Sequence, residues 1–488
     1  MPLHTQPRKL AALLWTVILA SSLLLNSPIN VTSASSPVLS QSEAAYNVGE
    51  MVALTALASR TRPLALPGFK NYLMLGVASD NSTASENWVR STATWDLRYQ
   101  YLVGNVNTSE NWTNWNSPSG QFATMWLNDS GNLGTLPVLT YYTMLNSPQS
   151  GADPGDEATK DISHLNNAAT MRNYYANFKL MLDKIKAFGK TTIVHIEPDL
   201  WGFLEQRALR NFQSDDANSV TAAVSSAGYG DVVDGLPDNP AGFAQALIRL
   251  RDKYAPNALL AYHDSTWGAV DDLGLNTDPN YDVVPIARHG AKFYKSLNAN
   301  FDLIFNDISD GDAGWYGQWD KGAHWWDENN LKFPNYAQYA TYLSVLHRYT
   351  QKPLVLWQLP IGNTLMRSTN NTRNHYQDNR VQYFLGANYR QNLAAYVNAG
   401  VVALLFGSGQ GDTTDFLDGA KDGVTNPVAI NNNDQMAVVM DDDGGYLRQR
   451  GAAYYASLVY LPGEGNACGL KGPDLMVPLT CPLNTNIP

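Results

Sequence analysis

The sequence predicts an α/β fold, and within that class a (β/α)₈ (TIM) barrel. Eight apolar runs of strand length recur from residue 67 onward, and segments with helical spacing lie between several of them. Strands that are apolar throughout and alternate with amphipathic helices indicate a parallel sheet covered by helices. The alternative is an open doubly wound sheet. It would need a G-x-G-x-x-G turn or a G-x-x-x-x-G-K-[ST] loop after an early strand, and neither is present there.

The predicted strands end in polar or aromatic residues, as expected where barrel strands open into loops. We expect the first units to be irregular, because the stretch between Val103 and Pro137 is polar, rich in Asn and Trp, and only weakly helical around Gln121–Leu127. The eight predicted strands are Tyr72–Val77, Leu97–Val103, Pro137–Tyr142, Thr192–Ile196, Ala258–Tyr262, Phe301–Phe305, Pro353–Trp357 and Val401–Phe406.

Two of the covering helices are predicted most clearly. Apolar residues recur at helical spacing over 171–185, and Gly189 follows as a C-terminal cap. The same spacing over 381–397 predicts one helix that ends before Gly400. A last helix is expected within 441–462.

Composition argues against two classes of protein. Of the 488 residues, 33 are Lys or Arg and 44 are Asp or Glu, and the net charge of −11 argues against nucleic acid or another polyanion as a partner. An apolar fraction of 44% with only 16% charged residues is far from the composition of disordered chains. The chain is therefore expected to fold around a large core.

Residues 1–34 have the three parts of a secretory signal peptide. Arg8 and Lys9 precede the apolar run Leu10–Leu25, and Thr32-Ser33-Ala34 offers a small-residue cleavage site. A single membrane anchor is the alternative, although the run is shorter than the roughly 20 residues that span a bilayer. We expect a secreted protein, a monomer by default, that makes no membrane contact once the signal is removed.

The rest of the chain divides into three parts. Residues 35–66 are Ser- and Ala-rich and are interpreted as a spacer, residues 67–462 as the barrel, and residues 463–488 as a C-terminal tail. Cys468 and Cys481 are the only cysteines. In an exported chain, such a close pair predicts one local disulfide that ties the tail, and two free thiols are the alternative.

Carboxylates are concentrated at the predicted C-terminal ends of three consecutive strands. In the fourth, His195, Glu197 and Asp199 share one face if the period of two continues. The fifth strand ends at Asp264 and the sixth at Asp307. Because function lies at this end of a barrel, we expect these side chains to converge. For Asp199, capping the following helix is the alternative role.

Two carboxyl groups are enough to break a glycosidic bond without a cofactor. One protonates the leaving oxygen, and the other acts as nucleophile or activates water. Aromatic rings around such a pair can stack on sugar rings, while amides and imidazoles bind the hydroxyls. A carbohydrate is therefore the expected partner. The expected substrate contacts are His195, Trp201, His263, Trp267, Trp315, Trp319 and Gln358.

The order of the eight units and the Glu197-Pro198 motif resemble the (β/α)₈ glycoside hydrolases, in particular the large cellulase-like clan. The resemblance covers roughly residues 68–462 in layout and a few residues in detail. It implies a glycosidase acting on a poly- or oligosaccharide, with Glu197 as general acid/base. Ile196 stands where the clan has Asn, and Gln358 stands where its nucleophilic Glu ends strand seven. The second carboxylate is then expected among Asp199, Asp264, Asp307 and Asp310, with Asp264 and Asp307 first because each directly ends a strand.

Two other functions are open at this stage. The acidic residues together with His195 and His263 could ligate a divalent cation in a metal-dependent hydrolase. No His-x-His pair or H-E-x-x-H spacing supports that reading, so we expect neither a metal nor another cofactor. A barrel that lacks the strand-seven Glu could also bind carbohydrate without turning it over, which Gln358 makes conceivable.

Overall fold

The computed structural model describes residues 66–151, 154–269, 271–319, 321 and 324–462. Its eight strands form a closed barrel, in which each strand runs parallel to the next and the eighth pairs with the first. The predicted (β/α)₈ barrel is thereby confirmed. The strands are β1 (Met74–Ala78), β2 (Leu97–Val103), β3 (Leu136–Tyr142), β4 (Thr192–Ile196), β5 (Ala258–Ser265), β6 (Leu303–Asp307), β7 (Leu354–Leu359) and β8 (Val401–Phe406).

The strands are buried on both faces, which is why the sequence shows unbroken apolar runs. Outward side chains pack against the helices, while inward side chains form a separate core inside the barrel. The interior is therefore filled, and a functional site is expected at its mouth. The inner core includes Met74, Tyr99, Val138, Ile193, Ala261, Phe305, Val355 and Leu405.

The helices cover the outside of the barrel. As predicted, the helix over 171–185 forms and ends at Gly189, which has a φ of 74°. The helices are α1 (Thr83–Thr92), α2 (Gln121–Leu133), α3 (Glu157–Leu165), α4 (Ala168–Phe188), α5 (Leu200–Phe212), α6 (Pro240–Tyr254), α7 (Val283–Ser296), α8 (Ala313–Gln318), α9 (Tyr336–Thr350), α10 (Arg380–Leu385), α11 (Tyr389–Asn398) and α12 (Tyr446–Tyr455).

The single helix predicted over 381–397 is wrong, because the structure has two helices there, α10 and α11. The chain leaves the helical conformation at Gly386, which is extended with a ψ of −163°. A Cβ at this glycine would lie 2.1 Å from the carbonyl oxygen of Gln382, so the break needs glycine. Both helices bury apolar residues, and the hydrophobic period therefore continues across the break.

The second unit is irregular, as predicted. Between β2 and β3 the chain forms a short 3₁₀ turn, Trp112–Asn114, before α2 begins. Trp112 is fully buried, and its indole N–H donates to Asn177 of α4 at 2.6 Å. The polar, Trp-rich stretch is thus anchored to the helix layer.

Several predictions concern residues outside the described part of the chain. These are the signal peptide, the spacer up to residue 65, the C-terminal tail after residue 462, and the pairing of Cys468 with Cys481. Among the helices of the described residues, none is long and apolar enough to cross a membrane.

Candidate active site

A cavity of about 540 Å³ opens at the C-terminal ends of the strands. Strands β2, β3, β6 and β7 contribute side chains to it, and the loops that follow the strands supply the rest. Its lining includes aromatic, carboxyl and carboxamide groups, namely Tyr101, Tyr142, Glu157, Asp199, Phe203, Trp267, Asp272, Asp307, Asp310, Tyr316, His324, Trp357, Gln358 and Gln410.

Five carboxyl groups line this cavity: Glu157, Asp199, Asp272, Asp307 and Asp310. Burial, together with the charge of Asp310, raises the pKa of Glu157 to about 7. Burial also raises the pKa of Asp272 to about 6, with Asp307 adding to the effect. Within the described residues, no group of three or more His, Cys, Asp or Glu is arranged to hold a metal ion.

Asp199 has the most perturbed environment of the five. It lies at the start of α5 with a φ of 72°, and its side chain makes no capping hydrogen bond to that helix. Burial raises the pKa of Asp199 well above its usual value, and the charges of Glu157, Asp307 and Asp310 raise it further. Asp199 therefore holds its proton more strongly than an ordinary carboxyl group.

Asp307 is the last residue of β6, and a buried histidine lies beneath its carboxylate. The Nε2 atom of His263 lies 3.4 Å from Oδ1 of Asp307, a contact that does not reach hydrogen-bond geometry. The Nδ1 atom of His263 is 3.0 Å from Nε2 of His195, and Nδ1 of His195 is 3.3 Å from the hydroxyl of Thr140. All three side chains below Asp307 are fully buried inside the barrel. The two histidines therefore lie beneath the cavity.

Glu197 does not line the cavity. The backbone turns at this residue, with a φ of 44°, and the alternation of β4 ends at Ile196. The Glu197 carboxylate accepts hydrogen bonds from the backbone N–H of Thr143 at 3.0 Å and of Met144 at 3.2 Å. Burial raises the pKa of Glu197 to about 7 despite these bonds. Its contacts hold the loop that follows β3.

Asp264 also lies away from the cavity, on the outer face of β5. Its Oδ2 accepts hydrogen bonds from the amide of Asn306 and the hydroxyl of Tyr342, each at 2.8 Å. Burial raises the pKa of Asp264 to about 6. Its neighbour His263 points inward, so the two side chains lie on opposite faces, as the period of a strand requires.

The predicted aromatic contacts separate into three groups. Trp267 lines the cavity, as does the carboxamide of Gln358. Trp201 is fully buried, and its N–H donates to the carbonyl of Ile196 at 3.0 Å. Trp315 is also buried, whereas Trp319, on the same loop, is 60% exposed.

Sequence reasoning did not single out several lining residues. Tyr101 lies two residues before the end of β2 and Tyr142 is the last residue of β3, and the period of two places both on the inward face. Glu157 begins α3 and accepts a hydrogen bond from the Tyr142 hydroxyl at 2.5 Å. Asp272 lies in the loop after β5, and no periodic signal could have placed it. Asp310, by contrast, is among the expected candidates for the second carboxylate, and it accepts hydrogen bonds from Tyr316 and Gln410.

The chain matches no protein-family model and no curated protein. Several solved structures of glycoside hydrolases are similar to it. An endo-β-1,4-mannanase from Cellulomonas fimi has 11% identity and a TM-score of 0.40 over 83% of this chain and 74% of its own. A family GH26 β-mannanase from Bacteroides ovatus has 11% identity and a TM-score of 0.38, over 84% and 93%. A family GH18 chitinase from Chromobacterium violaceum has 12% identity and a TM-score of 0.37, over 80% and 84%.

Proposed function

We propose that the protein is a glycoside hydrolase with Asp199 as its general acid and Asp307 as its second carboxylate. The observation that carries the proposal is that these two groups line one cavity in different environments. Burial and neighbouring charges favour the protonated form of Asp199. A buried histidine nitrogen lies 3.4 Å from the carboxylate of Asp307. Carboxyl groups in unlike environments are typical of a division of roles in acid–base catalysis.

The chemistry follows from this division. Asp199 donates its proton to the glycosidic oxygen as the bond breaks. The negative charge of Asp307 stabilises the positive charge that develops on the sugar ring in the transition state. A water molecule then forms the new bond to the anomeric carbon and gives up its proton to a carboxylate, which restores the acid and base of the site. Glu197 has no part in this scheme, because its two carboxylate oxygens are bound to the loop after β3.

The rest of the lining suits a carbohydrate. Tyr101 and Trp267 offer ring surfaces for the apolar faces of sugars, and Gln358 and Gln410 offer amides for the hydroxyls. Together with the predicted signal peptide, this supports a secreted enzyme that acts on a poly- or oligosaccharide outside the cell.

The decisive experiment compares Asp199→Asn and Asp307→Asn with wild type on a panel of glycans and on aryl glycosides. Either change should lower kcat on natural glycans by about 10²–10⁴-fold. An aryl glycoside with a strongly acidic leaving group needs no protonation, so it should recover activity with Asp199→Asn but not with Asp307→Asn. The matched control is Asp234→Asn, an exposed carboxyl on the surface.

Three results would reject the proposal. Wild type that retains a glycan on a column but releases no sugar would indicate a carbohydrate-binding barrel instead. Full activity of both variants would show that other groups do the chemistry. Turnover abolished by a chelator in wild type would favour the metal-dependent alternative.

A further inference from the structure

Four inward side chains form a series of polar contacts that runs through the core of the barrel toward its mouth. The series starts at Thr140 of β3, passes through His195 and His263, and ends at Asp307 of β6. The strand register explains why the series runs toward the mouth. Thr140 lies level with His195, which lies level with Ala261, so His263 is two residues nearer the mouth. His263 lies level with Phe305, and Asp307 is again two residues further.

The imidazole rings are fixed by their neighbours. The His195 ring stacks on Phe305, with centroids 4.3 Å apart and an angle of 20° between planes. Trp357 packs edge-on against both imidazoles, at 4.5 Å from His195 and 5.7 Å from His263. Because all of these side chains are buried, neither histidine can exchange its partners for water.

The order of the contacts restricts where the protons lie. Burial lowers the pKa of His195 well below its usual value, and the neighbouring His263 lowers it further, so this ring carries one proton. One hydrogen must lie between Nε2 of His195 and Nδ1 of His263. If it belongs to His195, then Nδ1 of His195 accepts from Thr140 and Nε2 of His263 is free to donate to Asp307. If it belongs to a neutral His263, then a bare nitrogen faces the carboxylate, which is repulsive.

We propose that His195 and His263 are positioning residues for Asp307, and that the hydrogen bond between the two rings fixes the proton of His263 on Nε2, the atom 3.4 Å from the Asp307 carboxylate. The role rests on the proposed function, because it matters only if Asp307 takes part in the reaction. Asp307 shares the cavity with Asp199, Asp272 and Asp310, and its charge raises the pKa of each of these three groups. A donor fixed beneath Asp307 holds the orientation of its carboxylate.

The first test reads the protons directly and needs no activity. In ¹⁵N-histidine NMR of the full chain, His195 should be neutral, and both His195 and His263 should carry a proton on Nε2. Asp307→Asn should shift the Nε2 signal of His263, and His195→Leu should remove the preference for that tautomer. A His263 ring protonated at Nδ1, or one whose signals ignore Asp307→Asn, would overturn the inference whether or not a substrate is found.

The second test uses turnover. His263→Leu should lower kcat by about 10²-fold with little change in KM, as expected for a misplaced reacting group. His263→Gln should recover part of that loss, because its amide can accept from His195 and donate to Asp307. His195→Gln should be milder than His195→Leu for the same reason. A folded His263→Leu protein with kcat within twofold of wild type would refute the role while leaving the glycosidase proposal intact.

Discussion

The loop that forms one wall of the cavity depends on a fully buried ion pair. Arg380 and Asp378 have no exposed surface, and Nη1 of Arg380 lies 2.5 Å from Oδ2 of Asp378. Nη2 of Arg380 donates to the carbonyl of His324 at 3.0 Å. The His324 ring stacks on Tyr316, with centroids 3.4 Å apart, and both residues line the cavity. Arg380→Met therefore tests a link between stability and the site.

Arg380→Met should lower the free energy of unfolding by about 3 kcal/mol. Removing one partner of a buried pair costs about 3–5 kcal/mol, because the other charge stays buried without its partner. The lower end applies here, since Asp378 keeps two backbone donors, the N–H groups of Ala313 and Arg380, each at 2.8 Å. Nearby Asp312 is a second buried carboxyl group, and the charge of Asp378 raises its pKa.

The assay is guanidinium denaturation followed by tryptophan fluorescence. Arg373→Met is the matched control, because Arg373 pairs with Asp412 at 2.6 Å but is 75% exposed, so its loss should change stability little. The double variant Arg380→Met/Asp378→Asn should be more stable than Arg380→Met alone, since no charge stays unpaired. A loss below about 1 kcal/mol for Arg380→Met, or a double variant less stable than the single one, would refute this reasoning.

Three further predictions concern the site and its pH dependence. Glu197→Gln should keep kcat within about tenfold of wild type, whereas a general acid would lose about 10²–10⁴-fold, and sugar release by the purified variant decides between the two. Trp319→Ala should raise KM for a polysaccharide by roughly threefold to tenfold and leave an aryl glycoside unaffected, because the exposed ring can contact only sugars beyond the cavity. Burial raises the pKa of Asp415 to about 6, of Asp443 to about 7 and of Asp442 to about 8. Since the folded state holds these protons more tightly than the unfolded chain, the thermal midpoint should fall as pH rises from about 4 to 8, and a flat or rising profile would contradict the burial of these groups.

The barrel could be predicted because burial on both faces makes the strands appear in the sequence as apolar runs. The run Val401–Phe406 contains no polar residue, and its predicted bounds are those of β8. The break between α10 and α11 at Gly386 has no corresponding signal in the hydrophobic pattern. It depends on the close approach of one carbonyl oxygen, which does not change the hydrophobic period on either side.

Among the candidate acids, the period of two decides some positions and fails at others. It places His263 inward, and therefore Asp264 outward, so the sequence held the information that separates Asp264 from Asp307. The period could not place the Glu197 side chain, because it stops where the backbone turns at a positive φ. No residue before Pro198 predicts that turn. Glu157 reaches the cavity from the first residue of α3 and Asp272 from a loop, and the period of a strand sets neither position.

The contacts beneath Asp307 depend on a property that no single strand encodes. Each of the four residues, Thr140, His195, His263 and Asp307, is predictable as inward-facing, but their meeting depends on the stagger between neighbouring strands. A slip of one residue in β5 would turn His263 outward and bring Asp264 into the core. The charge of Asp264 would then lie among the apolar and aromatic side chains of the inner core, without the Asn306 and Tyr342 donors that it now has. The pairing of a histidine with an adjacent acid thus fixes the register of the strand, and the register in turn brings the histidine to Asp307.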